Sequence, residues 1–93
     1  MPKRYIDQDS KKLYIDLLLE LKSHKEIVDF LESLFSSSEV KDHSRRTMAA
    51  KILINGGTYE DVEEIMGMSS NTINKINFKT KGSPTLNKLL SDD

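Results

Sequence analysis

The polar side chains between residues 69 and 81 have the most definable chemistry in the chain. Ser69, Ser70, Asn71, Thr72, Asn74 and Lys75 fall close together, and Lys79 and Lys81 follow within two helical turns. An asparagine amide can pair with N6 and N7 of adenine. A lysine ammonium can reach guanine O6 and N7 or a phosphate. Serine and threonine hydroxyls can serve base edges or the backbone. If these residues share a helix, the free N–H groups at its start add a site for a phosphate. Charge distribution supports this chemistry better than net charge does. Residues 65–91 hold four lysines (Lys75, Lys79, Lys81 and Lys88) and no acid, whereas residues 1–64 hold ten Lys or Arg against thirteen Asp or Glu. A formal net charge of −1 thus conceals a local positive field. One feature opposes it. Glu60, Asp61, Glu63 and Glu64 precede the polar set and would weaken the grip of a single subunit on a phosphate backbone, which makes two-fold binding more necessary.

Enzyme chemistry has little to work with. There is no cysteine, so no thiol nucleophile, disulfide framework or zinc–thiolate site is available. His24 and His43 are the only histidines, and neither sits in a metal-ligand spacing. His43 follows Glu39 by four residues, which reads as a pair on one helix surface. Gly56-Gly57 reads as a helix stop rather than a nucleotide cradle. We expect no catalytic residue, no metal and no cofactor.

Positioning the polar set requires two short helices crossing at a steep angle, with a tight turn and a small shared core. Taking Tyr59 as position one, such a pair wants apolar residues at positions four, eight, ten, fifteen and eighteen, and glycine at nine. The chain supplies Val62, Met66, Met68, Ile73, Ile76 and Gly67. Position five, where the helices approach closely, carries Glu63 instead of a small residue, so its side chain must reach outward or the crossing must open. The outer face of the second helix then keeps the polar set together with Phe78. A helix-turn-helix over residues 59–78 follows.

Around it the chain reads as all-helical. No alternating strand pattern occurs, and Pro2 and Pro84 are the only prolines. We expect a single domain over residues 1–93, with a loose arm at residues 1–8. A first helix should start near Asp9 or Ser10, either of which can cap it. Its apolar residues Leu13, Tyr14, Ile15, Leu17, Leu18, Leu19 and Leu21 exceed one stripe. A helix apolar over so much of its girth needs cover on more than one side. In so short a chain the natural cover is a second copy. His24 should mark a break. Ile27, Phe30, Leu31, Leu34 and Phe35 then recur at helical spacing. Ser36, Ser37 and Ser38 end that helix and open a third, which runs to Ile54 and stops at Asn55-Gly56-Gly57. Residues 9–55 are thus expected to dimerise. Thr58 caps the first motif helix with Asp61 as its capping-box acid, Gly67 ends it, and Ser69 or Ser70 opens the next. Pro84 suits the first turn of a last helix over residues 83–90. We expect no membrane span, no signal peptide and a cytoplasmic location.

The chain resembles the Trp repressor superfamily, and within it the YerC/YecD-type branch. The likeness covers about residues 10–90. It rests on the S-S-S-E run at residues 36–39, Arg45-Arg46, Asn55-Gly56-Gly57, residues 59–66, and the run G-M-S-S-N-T-I-N-K from Gly67 to Lys75. The resemblance implies a six-helix subunit in an intertwined homodimer that binds double-stranded DNA and regulates transcription, as a repressor. A protein–protein adaptor using the same scaffold without DNA is the alternative. The resemblance also implies an effector pocket, in which two arginines sandwich a tryptophan ring and a glycine leaves it room. Arg46 falls at the first arginine, but Lys75 replaces the second and cannot stack as a flat guanidinium does. Ile76 replaces the glycine and is expected to fill the space. Tryptophan is therefore not expected as a ligand.

Overall fold

The computed structural model describes residues 3–92, with side chains from residue 7 onward. Among these residues there are six helices and no strand: α1 (Lys3–Glu20), α2 (His24–Leu34), α3 (Ser37–Ile54), α4 (Tyr59–Met66), α5 (Ser70–Lys81) and α6 (Pro84–Leu90). The chain divides into two compact units, residues 1–36 and 37–93. The division falls at Ser36, inside the stretch 9–55 expected to act together. Its physical basis is the third helix: Ala49 and Ala50 of α3 are buried with Val62, Ile73 and Ile76, which commits α3 to the helices that follow it.

In the first unit, α1 begins at Lys3, six residues before the expected start at Asp9. Residues 3–8, read from sequence as a loose arm, are therefore helical, and Met1 and Pro2 lie outside the described residues. Asp9 and Ser10 are exposed helix residues rather than caps. An exposed ion pair of Lys12 and Asp16, 2.7 Å apart at i, i+4 spacing, adds only a few tenths of a kcal/mol, about 0.3–0.5. The break after α1 falls at residues 21–23, just before the expected His24. Ser23, with φ −139° and ψ 160°, caps α2 and its hydroxyl accepts from the Glu26 N–H; His24 is the first helical residue. The Tyr14 and Phe30 rings stack, with centroids 6.0 Å apart. Little else of the apolar surface is covered. Leu13, Ile15, Leu17, Leu18 and Leu19 of α1 and Ile27, Val28 and Leu34 of α2 are all exposed.

In the second unit α3 packs against α4, α5 and α6, and α5 against both α4 and α6. The small side chains of Ala49 (0% exposed) and Ala50 (3%) let the neighbouring helices come close enough to bury Val62 and Ile73 completely. Burying a Val or Ile side chain fully stabilises a fold by roughly 1.5–3 kcal/mol, so these few residues hold the unit together. Ile52, Leu53, Tyr59, Met66, Met68 and Leu90 pack around them. The stop after α3 needs both glycines. Gly56 has φ +92°, and a Cβ on Gly57 would sit 2.4 Å from Ile52 Cγ2 and 2.8 Å from the Ile52 carbonyl oxygen. Asn55 has a further task that a turn signal does not reveal. Its Nδ2 donates to the carbonyls of Lys51 (2.8 Å) and Leu90 (2.9 Å), and its Oδ1 accepts from the Asp92 N–H (2.9 Å). This fastens the end of α6 to the end of α3.

Candidate nucleic-acid interface

The pair α4 and α5 is built from local signals. Thr58 accepts from the Asp61 N–H at 3.1 Å, and Asp61 Oδ2 accepts from the Thr58 N–H at 2.8 Å. This reciprocal box satisfies two donors that the helix start leaves open. Gly67 ends α4 in the left-handed region (φ 66°, ψ 29°), and its N–H donates to the Glu63 carbonyl. Residues with a Cβ adopt that conformation only at a cost. A tertiary contact secures the same corner: the Arg45 guanidinium, from α3, donates to the Met66 carbonyl. Ser69 then caps α5, its hydroxyl accepting from the Thr72 N–H.

Inside the corner, Val62, Ile73 and Ile76 are buried, and Met66 and Met68 are half-buried against the same cluster. Glu63 is exposed and points no charge into the core. On the outside, Ser69, Ser70, Asn71, Thr72, Asn74, Lys75, Lys79 and Lys81 are all exposed. They do not all offer free groups. The Ser69 hydroxyl is engaged in the cap, and it lies 3.0 Å from the Thr72 hydroxyl. Asn71, Asn74 and Phe78 follow one another at i, i+3 and i+7, so they share a stripe along α5. Phe78 is 85% exposed, unusual for a large aromatic side chain in a small protein. Beside this face, Glu60, Asp61, Glu63 and Glu64 of α4 are exposed as well. The surface thus presents a basic, amide-rich helix next to an acidic one.

Two residues that the sequence does not mark as site residues, Tyr59 and Asn77, enter the site. The Tyr59 hydroxyl donates to Asn74 Oδ1 at 2.9 Å, and Asn77 Nδ2 donates to the Tyr59 oxygen at 3.2 Å. No sequence signal marks this link, because the partners stand fifteen and eighteen residues apart and meet only through the crossing of the helices.

A cleft of about 680 Å³ opens between α3, α5 and α6, with Arg46, Lys75, Ile76, Lys79 and Leu90 among its lining. Arg46 and Lys75 thus line one space. Ile76, expected to fill an effector pocket there, is 7% exposed and also lines this space. Ile76 stands three residues from Ile73, faces the same way into the core, and forms only part of the wall. No group of His, Asp or Glu among the described residues has the arrangement of a metal site. No helix among them is long and apolar enough to cross a membrane.

An all-helical chain with a glycine-turned, α3-braced helix-turn-helix defines a class, the helix-turn-helix proteins. The family model described as "Trp repressor protein" matches residues 9–92, and the chain belongs to that family, one of helix-turn-helix DNA-binding regulators. No curated protein and no solved structure shows significant similarity to the chain.

Proposed function

We propose that this protein is a sequence-specific DNA-binding transcriptional regulator, a repressor, that acts as a homodimer from within the cytoplasm and catalyses no reaction. The observation that carries the reading is the outer face of α5. Asn71, Asn74 and Lys75 stand exposed on a helix that is fixed from behind by Ile73 and Ile76. In this reading Asn71 and Asn74 read base edges, with Ser70 and Lys75 beside them. Lys79 and Lys81, in the last turn, hold phosphates, and Ser69 and Thr72 shape the helix start that meets the backbone. Self-association is supported by the exposed leucines of α1, which a second copy of the same hairpin would cover. The run from Gly67 to Lys75 supports placement in the YerC/YecD-type branch.

Selection of bound duplexes from a random DNA pool tests the proposal. A motif with two-fold symmetry is expected. Recovery of no motif at low salt refutes sequence-specific binding, and an asymmetric motif refutes the symmetric dimer. The exposed acids of α4, together with Ile65 at 65% exposure, favour a second reading, a protein–protein adaptor. Salt separates the two. DNA affinity falls steeply as salt rises because bound phosphates release counterions, whereas an apolar adaptor contact does not weaken.

A further inference from the structure

We infer that Tyr59 is a positioning residue that orients the Asn74 amide and thereby sets which base edge Asn74 reads. The inference rests on the DNA-binding reading above. Tyr59 opens α4, and its half-buried ring packs against the core cluster. Its hydroxyl is the middle of a three-member relay. Asn77 Nδ2 donates to it at 3.2 Å, and it donates to Asn74 Oδ1 at 2.9 Å. A phenol has one proton to give. Once Asn77 occupies the oxygen as a donor, the phenolic proton goes to Asn74, and the relay has one direction. Asn77 is half-buried, whereas Asn74 is exposed. The relay is therefore anchored in the fold and ends at the surface.

An asparagine on a bare helix can turn its amide over and present either the oxygen or the nitrogen. Asn71, one turn earlier on the same face, has no tether among the described residues and keeps that freedom. Asn74 does not. With Oδ1 held by the tyrosine, the two Nδ2 protons are what it offers outward. Guanine presents two adjacent acceptors in the major groove, N7 and O6. Adenine presents one acceptor beside a donor, and cytosine presents a donor. A tethered Asn74 thus favours guanine, tolerates adenine through N7, and disfavours cytosine. Without the tether it would behave as an ordinary asparagine and favour adenine.

The experiment is selection from a random duplex pool at fixed salt, run on the full chain and on Asn74→Ala, Tyr59→Phe, Asn77→Ala and Asn71→Ala. Asn74→Ala locates the base pair that Asn74 reads, because preference flattens there. Guanine is expected at that position with the parent protein. Tyr59→Phe keeps the ring in its packing and removes only the oxygen. It should lower the guanine-to-adenine ratio at that position by roughly three- to tenfold, the worth of one hydrogen bond, and leave the position read by Asn71 unchanged. Asn77→Ala, which leaves Tyr59 in place, should shift the same position in the same direction by less. This second variant keeps the test decisive if Tyr59→Phe folds poorly in a thermal melt. Three outcomes overturn the inference while DNA binding stands: adenine or cytosine preferred by the parent at that position, an unchanged ratio in both relay variants, or no effect of Asn74→Ala. Recovery of no motif with the parent overturns the DNA-binding reading, and the inference with it.

Discussion

The two compact units of this chain reach order by different routes. Residues 37–92 bury five apolar side chains around the corner of α4 and α5. Among residues 7–36 none is buried, although α1 and α2 are richer in large apolar side chains than any other part of the molecule. Leu19 at 76% and Leu13 at 62% exposure stand where water gains nothing by meeting them. The difference teaches that apolar content does not make a core. The second unit has a lower proportion of large apolar residues, but Ala49 and Ala50 let them meet. The first has many, on two helices that share one aromatic stack. The homodimer proposed above would resolve this, since each copy would supply the surface that the other lacks.

That contrast can be broken most directly at Leu18. Leu18→Asp places a carboxylate on the face proposed to meet a second copy, and an unpaired buried charge costs on the order of several kcal/mol. Light scattering and thermal melts should show dissociation or unfolding at micromolar concentration. A folded variant with the parent's mass would mean that residues 3–36 need no cover. In the other unit, Ile73→Ala removes a fully buried side chain and leaves a cavity, for a loss of ~2–5 kcal/mol, measured as a drop in the urea midpoint. If that loss is below the uncertainty of the measurement, the small core is not what holds the motif.

Smaller effects belong to the outer face of α5. Asn71→Ala should cost ~1–3 kcal/mol at the single base pair it reads, whereas Lys79→Ala should weaken binding to all sequences alike and reduce the salt slope by about one. Equal behaviour of the two variants on specific and random DNA would erase the division between base-reading and phosphate-holding residues. The smallest expected effect is none. The cleft beside Arg46 lies wholly within residues 37–92, and Lys75 lacks the flat cation needed to stack on an indole. A ligand at a hundred times its dissociation constant adds ~2.7 kcal/mol of stability. Melts with millimolar tryptophan should therefore overlay those without it. A shift of several degrees, absent with alanine, would show that the open cleft suffices without a second arginine.

What the sequence made legible is local. The Thr58–Asp61 box, the left-handed Gly67 and the Ser69 cap involve residues within four positions of each other, so type and spacing determine them. The start of α1 was not legible for the same reason. Asp9 and Ser10 are good caps, but they are also tolerated on the exposed side of a continuing helix, and nothing local decides between the two. The Tyr59 relay and the Arg45 brace on Met66 were invisible because each joins residues that only tertiary packing brings together.

Asn55 closes the segment that carries the motif into a ring. Its side chain bonds to residues 35 and 37 positions further along the chain, so the stretch from α4 to α6 leaves and returns at one point. Loop-closure entropy grows only slowly with length, and a side-chain clasp can hold such a ring without a covalent bond. In topological terms the corner of α4 and α5 is a closed circuit hung from the end of α3. Its two ends need no wide bridge, which makes the junction beside Asn55 a natural place to cut and rejoin the chain.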